Sequence, residues 1–217
     1  MTAGLQIIND NGVVQLDENY FNLEFKHKFQ YAIAAGVNQY PIATNGYGNE
    51  VVAVGETGIG YVSISRTAAN QIVITTFAQA AATLTFYVFG TPDQTATGNA
   101  GLQIFNGAGQ LTFSCSRNYM RVVHSYKTLD DVNSSGGGNA VTLGAGVYAA
   151  VSSSNRRFFA QRDSGGWALR IDALRVNGSY IDASPQWKDY ASGQGSLMPL
   201  YQNDAGGWVT VMDVSGL

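Results

Sequence analysis

The chain has 217 residues, a formal net charge of −3 and a charged fraction of 12% beside 45% hydrophobic residues. That charge content is about half of the roughly 25% usual in a soluble domain, and 26 glycines, 12 tyrosines and 10 phenylalanines favour an all-β protein with many tight turns. The acidic balance, with no basic cluster larger than Arg156-Arg157, argues against a nucleic-acid-binding protein. The single cysteine, Cys115, excludes an intrachain disulfide and a cysteine-based zinc site.

The first residues, MTAGLQIIND, have no basic start and no long apolar run. No signal peptide and no membrane insertion are therefore expected. GLQIINDNGVVQL (4–16) reads as a hairpin whose turn needs a glycine, Gly12, in a positive-φ conformation. A third strand follows in LEFKHKFQYAIA, and EVVAVGE is a continuous apolar run expected at a sheet centre. YVSISRT, QIVITTFA and ATLTFYVFG alternate with period two, and no segment keeps helical periodicity over three turns. GTPDQTATGNA (90–100) has turn residues and no apolar pattern, so it reads as a linker.

GLQIFNGAGQLTF (101–113) then repeats the opening. From Gly4 to Gly101 the spacing is 97, and at that spacing Leu5, Gln6, Ile7, Asn9 and Gly12 fall on Leu102, Gln103, Ile104, Asn106 and Gly109. The only two histidines, His27 and His124, also coincide. This is an internal duplication. It predicts two tandem antiparallel β-sandwich domains: 1–91, a linker over 92–100, and 101–217 with longer loops. In the second copy NSSGGGNA (133–140) reads as a flexible loop, and LGAGVYAAVSS and RRFFAQR as strands. QRDSGGWALRID and QNDAGGWVTVMD form a shorter repetition. Asp163, Gly165 and Gly166 in one, and Asp204, Gly206 and Gly207 in the other, are expected to make hairpin turns, each followed by a tryptophan opening a strand. SPQWKDYASGQGS (184–196) reads as a surface loop.

Few residues suggest chemistry. His27 and His124 sit at equivalent strand positions in different copies, a poor arrangement for one triad. Asp163, Asp172, Asp204 and Asp213 are the carboxylates that could serve a glycosidase pair, yet Asp163 and Asp204 fit turn positions better. The DNG at 10–12 lacks the later ligands of a calcium loop. Cys115, standing where the first copy has Glu18, has no paired base. Alternation in WALRI places Trp167 in the core, Trp208 is expected there too, and Trp187 with Tyr190 is the candidate surface contact. No catalytic residue, cofactor or metal is expected.

Residues 87–123 resemble a family of small tail proteins of tailed bacteriophages encoded among the tail-tip and fibre genes. The pattern is carried by Gly101-Leu102-Gln103-Ile104, Gly109, Leu111, Phe113, Ser116, Tyr119 and Arg121-Val122-Val123, preceded by Val88-Phe89-Gly90-Thr91-Pro92. The first copy matches more loosely, with Asp17 where the second has Ser114. The resemblance covers about a third of the chain and stops before 130–217. It implies a structural role in the virion tail, after assembly in the host cytoplasm, with the tail tube, hub or fibre as partners. The alternative is a receptor- or glycan-binding module facing the host surface. Two similar domains per chain would let three copies meet a sixfold partner, so a homotrimer or a multiple of three is expected.

Overall fold

Period-two alternation builds this protein, and β-branched and aromatic residues fill both faces of its central strands. The computed structural model describes residues 6–8, 14–17, 21–43, 46, 49–58, 60–66, 71–95, 101–128, 139–153, 157–161, 167–191 and 207–217. These form β1 (Gln6–Ile8), β2 (Val14–Asp17), β3 (Glu24–Ile33), β4 (Gly36–Ile42), β5 (Val51–Val54), β6 (Tyr61–Arg66), β7 (Ile72–Ala78), β8 (Ala82–Gly90), β9 (Gln103–Phe105), β10 (Leu111–Ser114), β11 (Arg121–Lys127), β12 (Asn139–Thr142), β13 (Tyr148–Ser152), β14 (Arg157–Gln161), β15 (Trp167–Asn177), β16 (Tyr180–Ala191) and β17 (Trp208–Asp213). Every pairing is antiparallel, and no helix occurs among the described residues.

The duplication is repeated pair by pair. In β1–β2, Gln6, Ile7 and Ile8 face Asp17, Leu16 and Val14; in β9–β10, Gln103, Ile104 and Phe105 face Ser114, Phe113 and Leu111. All three pairs, and the register shift beside the last, match at the spacing of 97. The next strands share a bulge as well. β3 shifts register on β8 between Phe25 and His27, and β11 shifts on β17 between Val122 and His124. A bulge holds two residues against one and bends its strand.

Each half contributes a three-on-three sandwich, and the two sandwiches are fused edge to edge. One sheet runs β11-β17-β13-β5-β8-β3, and the other runs β12-β16-β15-β6-β7-β4 with β14 also on β15. The joins are β13 to β5, with Ala150 opposite Val54, and β15 to β6, with Leu174 opposite Val62. β5 and β6 thus have β13 and β15 as neighbours, and both sheets run through the two halves on either side of 92–100. One apolar core between the sheets draws on both halves, with Val54, Ile74, Leu84 and Phe86 from the first and Ala150, Leu174, Ile181 and Val211 from the second.

A local twofold axis runs through the first join. His27 faces Val88 and His124 faces Val211; Val88 in turn faces Val52, and Val211 faces Ala150. Val52 and Ala150 are thus equivalent, and pairing Val54 with Ala150 sets Ala53 opposite its own equivalent, Val151. The sheet also curls until its outer strands meet. Glu24 bridges Tyr119, which puts Leu23 opposite Met120, again equivalents. Inside the curl, Ala53, Tyr87, Phe89, Ala149 and Met212 form a second core with Leu23, Phe25 and Met120 against it. β8 thus buries Leu84, Phe86 and Val88 on one face and Tyr87 and Phe89 on the other.

Two local expectations change. The loop expected over 184–196 is strand as far as Ala191, because β16 pairs along the whole of β15 and accommodates Pro185 opposite Asp172. Asn139 and Ala140, expected in a loop, open β12. β17 pairs with β11 and β13; the turn expected ahead of Trp208 at Asp204 and Gly206 lies outside the described residues.

Candidate functional site

Two clusters gather most of the described polar chemistry. At the start of β3, Glu24 Oε2 accepts from Lys26 Nζ at 2.9 Å, Arg117 Nη1 at 2.7 Å and the Asp93 N–H at 3.0 Å. Lys26 also reaches Asp93 Oδ1 at 3.0 Å, and Arg117 Nη2 donates to the Thr95 carbonyl at 2.6 Å. Both cations are sequestered, with side chains 4% and 5% exposed. Gln94 completes the clamp: Oε1 accepts from the Leu111 N–H at 2.8 Å, and Nε2 donates to the Leu111 carbonyl at 3.3 Å. The cluster fastens the linker and the β9–β10 hairpin to the first half. Its charges neutralise one another, leaving a lining of Glu24, Asp93 and Arg117 in a shallow cleft with no group poised as a general base.

The second cluster lies at the other join. Arg175 and Asp182 face each other across the β15–β16 hairpin. Asp182 Oδ2 accepts from Arg175 Nη2 at 2.8 Å and from the Tyr61 hydroxyl, which crosses from β6, at 2.7 Å. The guanidinium lies 4.9 Å from the Tyr61 ring and 5.4 Å from the Tyr180 ring, within cation–π range. Burial, followed by the bond to Asp182, pushes the Tyr61 phenol up to about 12. Gly178, at φ +57°, opens the two-residue loop that sets this register. The arrangement locks β6 to β15 and presents no nucleophile.

The residues singled out from the sequence do not converge. His27 and His124 lie on the two outer strands of the curled sheet, each 5.8 Å from the ring two residues on, Phe29 and Tyr126. Asp172 and Asp213 belong to different sheets. Asp172 is buried, while Asp213 accepts from the Ser215 N–H at 2.9 Å and pairs with Arg121 at 3.1 Å; those Ser215 bonds, the main cause, hold its carboxyl below the ordinary range. Cys115 is exposed, and its Sγ accepts from the Leu102 N–H at 3.2 Å. Among the described residues, no three His, Cys, Asp or Glu side chains come together to hold a metal.

Gly109 takes φ +77° in the β9–β10 turn, and the Gly207 carbonyl accepts from the Thr128 N–H at 2.7 Å. Gly12, Asp163, Gly165, Gly166, Asp204 and Gly206 lie outside the described residues. Trp187 and Tyr190 fall on β16, with only their backbone described, and the same holds for Trp167 on β15. Trp208, expected in the core, is 52% exposed. It begins β17 and alternates with Val209 and Val211, which take the core face. Sequence reading missed both polar clusters, since Tyr61 and Asp182 are 121 residues apart and Glu24 and Arg117 are 93 apart. Only the Arg175–Asp182 half was within reach, because the two residues flank the short loop at Gly178.

The fold and these two internal clamps describe a β scaffold that spends its polar groups on holding itself together. No protein-family model, curated protein or solved structure matches the chain.

Proposed function

We propose that this chain is a structural component of a bacteriophage tail, an adaptor or collar at the distal tail or tail tip that works through protein–protein interfaces. The observation that carries the reading is the duplicated GLQ hairpin, whose motif resembles the phage tail family and whose two copies keep one pairing register through a shared bulge. A duplicated packing module with its charges engaged internally fits assembly better than catalysis. The low charge content suits a surface that is covered in the mature particle. The arrangement proposed is a homotrimer or a multiple of three.

Mass spectrometry of purified virions tests this. The protein is expected at a fixed copy number divisible by three, and particles lacking it should have incomplete tail tips. Absence from purified virions overturns the reading.

One observation favours a second reading, recognition of a host-surface glycan. Trp208 is half exposed, with Lys127 opposite it and Ser125 and Thr210 two pairs along, on the same face. An indole face with hydroxyl and ammonium groups beside it suits stacking on a pyranose ring. Glycan-array binding lost in Trp208→Ala would favour this reading over the first.

A further inference from the structure

The cluster at the start of β3 has no base to offer a bound ligand, because its groups are engaged with one another. What they can act on is each other. Lys26 Nζ lies 3.0 Å from Asp93 Oδ1 and 2.9 Å from Glu24 Oε2. Asp93 is anchored through its backbone as well, since its N–H donates to the same Glu24 oxygen at 3.0 Å. The side chains of Lys26 and Glu24 are 4% and 13% exposed, whereas that of Asp93 is 65% exposed. An amine and a carboxyl group are thus fixed in contact, shielded from water on the amine side and open to it on the carboxyl side.

Exposed ion pairs of this length are common, and their long side chains leave them freely. This pair differs in its buried lysine, in the second carboxylate on the same Nζ and in the backbone anchor of Asp93. The duplication also supplies a control. At the spacing of 97, Glu24 and Lys26 fall on Arg121 and Val123. β11 keeps the bulge and the antiparallel pairing of β3 without them. The strand does not need this pair in order to form.

We infer that Lys26 and Asp93 condense into an amide, with Glu24 as the proton relay. Glu24 Oε2 takes a proton from the ammonium along the 2.9 Å bond and frees the nitrogen lone pair. That pair attacks Asp93 Cγ and forms the C–N bond. The proton on Glu24 and a second one from the nitrogen pass to the departing oxygen, the C–O bond breaks, and water leaves through the open side. Ammonium and carboxylate become amide and water, so one charge of each sign disappears and no other reactant is needed. Arg117 Nη1, 2.7 Å from the same oxygen, keeps a cation beside Glu24 once Lys26 is neutral. Groups held about 3–3.5 Å apart can reach effective molarities of about 10⁵–10⁸ M, far above the concentration of the water that would reopen the amide.

Lys26 and Asp93 are 67 residues apart, and β4 to β8 lie wholly between them. Tension drawn along the chain would pass through the amide and bypass the ladders of these strands. A use for that in a tail rests on the tail-protein reading; the bond itself does not.

Mass spectrometry of the denatured full-length protein tests the bond. The wild type is expected to be one water lighter than its sequence, and its tryptic digest should contain a branched peptide joining Lys26 to Asp93. Lys26→Arg, which keeps the charge but cannot form the bond, and Asp93→Ala should both have the mass of their sequences. Glu24→Gln should be purified without the cross-link. A wild type of full sequence mass overturns the inference, and so does a loss of water that maps to other residues. A Glu24→Gln variant cross-linked as completely as the wild type overturns the relay. Absence from virions removes the tail-protein reading and leaves the bond standing.

Discussion

Gly101 and Gly109 show how much a single position can demand of the sequence. Both have positive φ, +113° and +77°, but their surroundings differ. A Cβ on Gly109 meets nothing within 4 Å, whereas one on Gly101 would clash with Cys115 Sγ. Gly109→Ala should therefore cost about 1 kcal/mol from backbone strain alone, and Gly101→Ala roughly 2–3 kcal/mol. Chemical denaturation of the two variants checks the order; equal losses would mean that Cys115 moves aside freely. Tyr61 sets a pH limit. Its folded pKa, about 12, lies above the ordinary 10, so the folded state holds the phenolic proton more tightly than the unfolded chain. The associated stability is complete below pH 10 and is lost as pH rises through 12. Burial raises Tyr119 and Tyr126 in the same direction. Tyr61→Phe should lower stability at pH 8, where its bond to Asp182 is gone, and should flatten the decline between pH 10 and 12. Guanidinium unfolding at pH 8, 10 and 11.5 reads both effects, and an unaltered slope would show that Tyr61 titrates as an exposed phenol.

At the scale of elements, the hairpins, the alternating strands and the period of 97 were legible because they are local or repeated. β4 was not, since GVNQYPI contains glycine and proline; it tolerates Pro41 as the outermost strand of its sheet. β16 was hidden by its polar composition; Ile181 and Ala183 seat its start in the main core, and its pairing with β15 continues to Ala191. The clamp on β9–β10 was equally invisible, because linker, strand and loop meet only in the fold. Its centre is Glu24, 13% exposed, between two cations that are almost fully buried. Glu24→Gln leaves Lys26 and Arg117 without their shared carboxylate and should cost on the order of 3 kcal/mol. Hydrogen exchange should then speed up in β9 and β10 while β7 and β8 stay protected. Uniform loss of protection would mean that the clamp holds the whole sheet rather than the hairpin.

For the whole molecule, duplication and fusion impose opposite expectations on folding. A repeat of 97 residues is long enough for an independent domain, and the sequence gives no sign that the copies share sheets. Strand order does. Each half leaves two edges that only the other half pairs, and the main core takes Val54 and Phe86 from one side and Ala150 and Val211 from the other. An isolated half would expose β5 and β6, or β13 and β15, together with its share of that core. Such bare apolar edges template aggregation. The intact protein should therefore unfold in one calorimetric transition, with van't Hoff and calorimetric enthalpies equal. Fragments 1–95 and 96–217, produced separately, should be insoluble or unfolded. Produced together they should recover a folded complex, because the cut falls in the linker rather than in a strand. Two resolved transitions, or a soluble and cooperatively folded 1–95 fragment, would restore the picture of two independent domains and make the shared sheets a docking contact rather than one core.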